Sequence, residues 1–140
     1  MKRNHSRAAG FTLLEIVIVL ILLGTIMAFV APKIFGNLER ANQARAKANI
    51  TQIEGQLEIM KLEAGRYPTT SEGLAALITK PGSMEKWNGP YIKDAGALKD
   101  PWGNDFKYSQ PGQNGKAFDI VSMGADGKDG GEGDNKDISN

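Results

Sequence analysis

Few residues in this 140-residue chain could carry out bond-making chemistry, and their placement is informative. There is no cysteine, which excludes thiol nucleophiles, zinc–thiolate sites and disulfide staples. The single histidine, His5, sits in the opening MKRNHSRAAG beside Lys2, Arg3 and Arg7. Most general-base and nucleophile-activating groupings depend on a histidine, so the chain does not read as an enzyme. Two other features carry chemistry. One is Glu15, the sole charge in the apolar run from Phe11 to Ala31, FTLLEIVIVLILLGTIMAFVA. The other is DGKDGGEGDNKD, residues 126–137, with five carboxylates, four glycines and two lysines.

Oxygen-rich side chains on a glycine-rich backbone suit a hard cation. Calcium takes six to eight oxygens from carboxylates, backbone carbonyls and water. The stretch is not an EF-hand, because the D-x-[DN]-x-[DN]-G register fails. Spacing alone leaves two readings level: a cation site, or a solvated acidic tail.

Charge and length bound the rest. Once Lys2, Arg3 and Arg7 are set aside, 14 basic residues face 16 acidic ones, and no basic surface calls for nucleic acid. The chain is long enough for one domain with a modest core. Residues 11–31 are long enough to cross a bilayer as a helix, since about 20 residues span the roughly 30 Å hydrocarbon layer. A secretory signal peptide would have a shorter apolar stretch and a small residue where Phe29 stands. A plain signal anchor fits the basic flank but leaves Glu15 unexplained. A carboxylate at that depth costs about 2.5–3.5 kcal/mol on insertion scales and is functional by default.

After Pro32, apolar residues recur at Ile34, Leu38, Ala41, Ala44, Ala48, Ile53, Leu57, Met60 and Ala64, with Glu39, Arg40, Arg45 and Lys47 between them. This spacing predicts an amphipathic helix over 32–65, ended by Gly65 and Pro68. Pro32 is expected to bend or locally melt the helix. Thr69-Thr70-Ser71-Glu72 is a capping-box sequence and predicts a short helix through about Ile78. Asp105–Ser109 and Ala117–Ser122 alternate around a Pro-Gly-rich turn and predict a β-hairpin. Tyr91, Ile92 and Trp102 are expected in the core. The fold class is therefore α+β: a long N-terminal helix, membrane-spanning then amphipathic, packed on a small C-terminal domain at 66–140.

Residues 8–15, AAG then FTLLE, resemble the processing site of the type IV prepilin superfamily. The resemblance implies a cleaved leader at 1–10, cut by a prepilin peptidase between Gly10 and Phe11, with N-methylation of Phe11. It makes 11–31 a membrane and filament-core helix. Glu15 would then neutralise the new Phe11 amine, its own or a neighbour's, and so set register between subunits; a carboxylate snorkelling to the headgroups is the alternative. RYPTTSEGLAAL (66–77), GPYI (89–92), DPWGNDFKY (100–108) and the tail from Asp119 narrow the resemblance to the major pseudopilins of type II secretion systems. Ile138-Ser139-Asn140 stands where that family usually has Ile-Gly-Asn-Trp.

The resemblance implies a homopolymeric periplasmic filament, held in the bacterial inner membrane by one span before assembly. Its partners would be minor pseudopilins, an inner-membrane assembly platform and an ATPase, and it would export folded proteins through an outer-membrane secretin. A type IV pilin for adhesion or motility is the alternative. The resemblance also implies Ca2+ in a loop at about 123–138. The implied ligands are the side chains of Asp126 and Asp137, the carbonyls of Met123 and Lys128, and Asn135 or Asp134. Asp129 and Glu132 would face solvent.

Overall fold

The computed structural model describes residues 10–140, so the basic leader up to Ala9 lies outside the described residues. The chain divides into two units, one ending at Asn37 and one covering Leu38–Asn140. A single helix, α1 (Leu13–Ala64), contributes to both. The helix continues through Pro32, so the expected local melting there does not occur. Proline removes one bond of the ladder, and the intact turns on either side carry the helix across it.

In the first unit the large apolar side chains of α1, including Leu20, Ile21, Met27 and Phe29, are exposed. This is the one helix among the described residues long and apolar enough to cross a membrane, and none of its most apolar stretch is buried within the chain.

In the second unit, α1 buries one face: Ala46, Ile50, Ile53, Leu57 and Met60. Ile53, Leu57 and Met60 follow the expected stripe, but Ala44 and Ala48 face solvent while Ala46 and Ile50 turn inward. Alanine gains little from burial, so an Ala-rich stripe does not fix which way a helix rolls; the bulkier Ile50 does. A second set of apolar residues is left outside, with Leu62 84% exposed and Ile59 44% exposed. The helix ends as expected, with Gly65 at φ +85 and its N–H bonded to the Lys61 carbonyl at 2.8 Å.

The buried face of α1 packs on Tyr67, Leu74, Leu77, Met84, Ile92, Phe106, Phe118 and Ile120. Tyr67 meets Phe118 edge-on, with ring centroids 4.9 Å apart, and donates its hydroxyl to Glu58 at 2.6 Å. Burial pushes the Tyr67 phenol up from its ordinary pKa. Ile92 is buried and Tyr91 packs against the core, while Trp102 is only half-buried and lies outside the core cluster. Trp87 takes part instead, donating its indole N–H to the Ala76 carbonyl at 2.8 Å.

The capping box closes in both directions. Thr69 N donates to Glu72 Oε2 at 2.7 Å, and Glu72 N donates to Thr69 Oγ1 at 3.2 Å. The α-helix predicted to follow is a 3-10 turn, Leu74–Leu77, because Gly73 at φ +62 breaks the path after one turn. Arg66 donates twice to the Glu72 carboxylate, at 2.7 and 2.8 Å. That fork holds the Glu72 carboxyl far below the usual carboxylate range.

The hairpin forms from β1 (Lys107–Ser109) and β2 (Asp119–Ser122), with Tyr108 opposite Ile120. A third strand, β3 (Ile138–Ser139), pairs antiparallel with β2 and was not expected from the sequence. Two residues are too few to show alternation. Asn140 secures the end of this strand, accepting from Ile120 N at 3.0 Å and donating its own N–H to the Ile120 carbonyl at 3.2 Å.

The packed and unpacked faces of α1 separate cleanly by mutation. Leu57→Ala should cost about 2–5 kcal/mol through lost burial and a cavity. Leu62→Ala should stay within about 0.5 kcal/mol. Denaturant unfolding of the full chain in detergent micelles reads both; equal losses would place the wrong face inside.

Candidate functional site

The two chemical features lie in different units. Gly10 and Phe11 are both exposed. A Cβ on Gly10 would meet nothing within 4 Å, so this fold makes no demand for glycine there. Any requirement must come from whatever recognises the junction.

Thr12 and Glu15 form a second capping box, at the start of α1. Glu15 N donates to Thr12 Oγ1 at 3.2 Å, and Thr12 N reaches Glu15 Oε2 at 3.5 Å. The carboxylate thus folds back over the first turn, where unsatisfied N–H groups and the helix dipole favour negative charge. The signal for this cap is the T-x-x-E spacing within FTLLE, Thr12 to Glu15.

The C-terminal loop between β2 and β3 rests on a polar knot at Asp100. Asp100 is buried, with 5% of its surface exposed. Its Oδ1 accepts from Trp102 N at 3.1 Å and Asn104 N at 2.8 Å, and its Oδ2 accepts from Ser122 Oγ at 2.7 Å. Proline at 101 and glycine at 103 (φ +92) suit this tight turn. Asn104, held there, donates its side-chain amide to the Gly124 carbonyl at 2.7 Å. Neither residue stood out in the sequence as a support of the loop.

Gly124 lets the two ends of the loop meet. A Cβ there would lie 2.6 Å from the Asp134 carbonyl oxygen, and φ is +62. The next residue, Ala125, donates its N–H to that same carbonyl at 2.7 Å. Inside this closure, Lys128 N donates to Asp126 Oδ1 at 3.2 Å and Gly130 N to Asp137 Oδ2 at 2.8 Å.

Among the described residues, three buried side-chain polar atoms lack a hydrogen-bond partner: Trp102 Nε1, Asp134 Oδ1 and Asp137 Oδ1. Two of the three are carboxylate oxygens in this loop. A buried, unpartnered carboxylate oxygen is expensive unless a positive group completes it. Of the alternatives Asn135 and Asp134, the buried oxygen belongs to Asp134, while Asn135 is exposed. Asp126 is exposed, Met123 is buried and Lys128 is exposed. Asp129 points outward to Lys107 Nζ at 3.4 Å, and Glu132 is exposed. Three acidic side chains do not converge on one point among the described residues. A cation here would therefore draw on backbone carbonyls as well as carboxylates, which calcium accepts.

Comparison with known proteins gives a consistent picture. Residues 33–140 match the family described as Type II secretion system (T2SS), protein G, and residues 5–31 match the prokaryotic N-terminal methylation motif. The type II secretion system core protein G of Vibrio cholerae serotype O1 is 46% identical, over 99% of this chain and 94% of the relative. That of Pseudomonas aeruginosa is 40% identical, over 98% and 97%. The crystal structure of the major pseudopilin from the type 2 secretion system of enterohaemorrhagic Escherichia coli superposes with a TM-score of 0.62. It is 34% identical and covers 75% of this chain and 90% of that one.

The Asp100 knot yields a direct test. Asp100→Asn keeps the shape but replaces one carboxylate acceptor oxygen by a donor amide, so it should cost about 1.5–3 kcal/mol in all. Ser122→Ala should cost about 1 kcal/mol. Limited proteolysis should then cut the Asp100→Asn chain faster between 125 and 133. Wild-type unfolding and proteolysis in both variants would remove Asp100 from its supporting role.

Proposed function

The chain belongs to the type II secretion system protein G family, and from that membership we propose that it polymerises into a periplasmic pseudopilus supporting export of folded proteins through an outer-membrane secretin. The observation that carries this reading is the continuity of the two matches. Residues 5–31 and 33–140 meet at Pro32 and account for nearly the whole sequence. An adhesion or motility pilin would share residues 8–32, and the match of residues 33–140 to protein G favours the secretion subunit over it. The role is structural, and the residues that matter process, assemble or stabilise the subunit.

In this reading a prepilin peptidase cuts between Gly10 and Phe11, and Phe11 is N-methylated. The apolar half of α1 holds the subunit in the inner membrane with its C-terminal domain in the periplasm. Minor pseudopilins, the assembly platform and its ATPase are the expected partners. Glu15 has two compatible uses. Its carboxylate caps the first turn of its own helix, and its charge offsets the amine that cleavage creates at Phe11.

The C-terminal loop is proposed to bind Ca2+. Asp134 and Asp137 would supply carboxylate oxygens, with the Met123 and Lys128 carbonyls as backbone ligands, and Asp126, which is exposed and does not converge with the other two, would turn in to join them on binding. The bound ion supplies positive charge to carboxylates that otherwise repel one another. The chain's own part is to hold the loop ends together at Gly124 and Ala125 and to keep Asp137 Oδ2 on Gly130 N. What supports the reading is the buried, unpartnered oxygen on each of Asp134 and Asp137.

Two outcomes are expected. Protein extracted from membranes should have the intact mass of a chain beginning at methylated Phe11, and Glu15→Ala should insert normally yet fail to assemble or support secretion. A mass retaining residues 1–10, or wild-type secretion by Glu15→Ala, would refute this account. Separately, millimolar Ca2+ should raise the melting temperature of the full chain in detergent micelles. The gain is about 2.7 kcal/mol at a hundredfold excess over Kd. Mg2+ should do less, because it demands tighter octahedral geometry. Asp137→Ala and Asp134→Ala should abolish the rise and Asp129→Ala should not; a melt indifferent to Ca2+ and chelator would leave the loop a solvated acidic segment.

A further inference from the structure

Among the described residues, the turn that carries Asp134 is hydrogen-bonded to α1 through Gln43. Gln43 Nε2 donates to the Gly133 carbonyl at 2.9 Å, and the same amide lies 3.3 Å from Glu39 Oε1. Glu39 also closes down on Gly133, since a Cβ there would sit 3.0 Å from Glu39 Oε1. Gly133 has φ +60 and opens the 3-10 turn Gly133–Asn135. Asp134, with its buried free oxygen, follows directly.

This contact lies beyond the core. The first buried side chain of α1 is Ala46, so the turns at 39–45 are not held by apolar packing. Among the described residues, Gln43 is the residue between 38 and 45 that hydrogen-bonds to the C-terminal part of the domain. Lys47 makes the next such bond, to the Ser139 carbonyl at 2.7 Å. The loop is therefore strapped to α1 on both sides of Asp137.

We infer that Gln43 is a positioning residue that couples the cation loop to the helix. It holds the 133–135 turn where Asp134 can reach a cation, and the occupied loop in turn braces α1 at 39–45. The inference rests on the reading of the loop as a Ca2+ site. It follows from linkage: if docking of the turn favours the ion, the ion must favour docking by the same factor. Cation occupancy thereby orders two turns of helix that the hydrophobic core does not reach. Gln43 acts through Gly133 and Asp134 and is not itself a ligand, because its amide nitrogen is directed at a carbonyl oxygen.

The test uses the full chain in detergent micelles, stripped by chelator and titrated with CaCl2 in a calorimeter, with amide hydrogen exchange followed on α1. In the wild-type chain Ca2+ should slow exchange at 39–45, a segment with no proposed ligand. Gln43→Ala removes the bond to Gly133, and the longer one to Glu39, from a partly exposed helical position outside the core where alanine is the best helix former, so the domain stays folded. It should weaken Ca2+ binding by about three- to tenfold, the worth of one hydrogen bond, and abolish the slowing at 39–45. Gln52→Ala, at an exposed position on the same helix, should behave as wild type. Unchanged affinity and retained slowing in Gln43→Ala would overturn the coupling while leaving the Ca2+ site intact. A wild-type chain that binds no Ca2+ would overturn the site itself, and the coupling with it.

Discussion

The C-terminal domain is organised around the burial of one face of α1. Ile50, Ile53, Leu57 and Met60 are almost wholly covered, and they face residues drawn from 67 to 120. The strands are only three, four and two residues long. A sheet of that size is marginal in water by itself and needs a helix to cover its apolar side. The connecting segment from Gly65 to Phe106 contains no α-helix and packs its apolar side chains, Leu74, Leu77, Met84 and Ile92, onto the same face. Without α1, those side chains would have no common partner.

Around that apolar contact the chain uses charged groups as fixed points. Glu72 is held by Arg66 and caps its own turn, tying the helix exit to the first loop. Asp100 is buried and accepts three hydrogen bonds, which join the 100–104 turn to β2 through Ser122. Buried charges are tolerated because each is met by several donors, and an unpaired one would cost far more than an apolar replacement. Asp134 and Asp137 stand apart from this pattern, each with a buried oxygen that no protein donor reaches. The carboxylates at 72 and 100 are met by donors of the domain itself, whereas one oxygen on each of Asp134 and Asp137 is not.

A pseudopilin must serve two environments with one helix. The first half of α1 exposes a long apolar surface with Glu15 as the one charge before Pro32, a composition suited to a membrane span. The second half presents a core face to the domain and leaves Ile59 and Leu62 uncovered.

The sequence alone determined the features that depend on neighbours in the chain. The apolar run with its one acid, the helix end at Gly65, the 69–72 capping box and the β1–β2 hairpin were all legible. Each follows from local periodicity, turn chemistry or capping over a few residues. The resemblance in residues 8–15 and 66–140 added the family. Tertiary structure decided what depends on distant parts meeting. It set the roll of α1 toward Ile50 rather than Ala48, because alanines carry too little apolar area to choose a face. It shortened the helix after Glu72 to a 3-10 turn at Gly73, and it moved Trp102 out of the core. It created β3 from two residues whose partner lies across the loop, and it selected Asp134 over Asn135 as the buried oxygen. It also joined Gln43 to Gly133, 90 positions apart. Such pairings leave no trace in local spacing, because they are fixed only when the loop ends close at Gly124 and the domain settles on the helix.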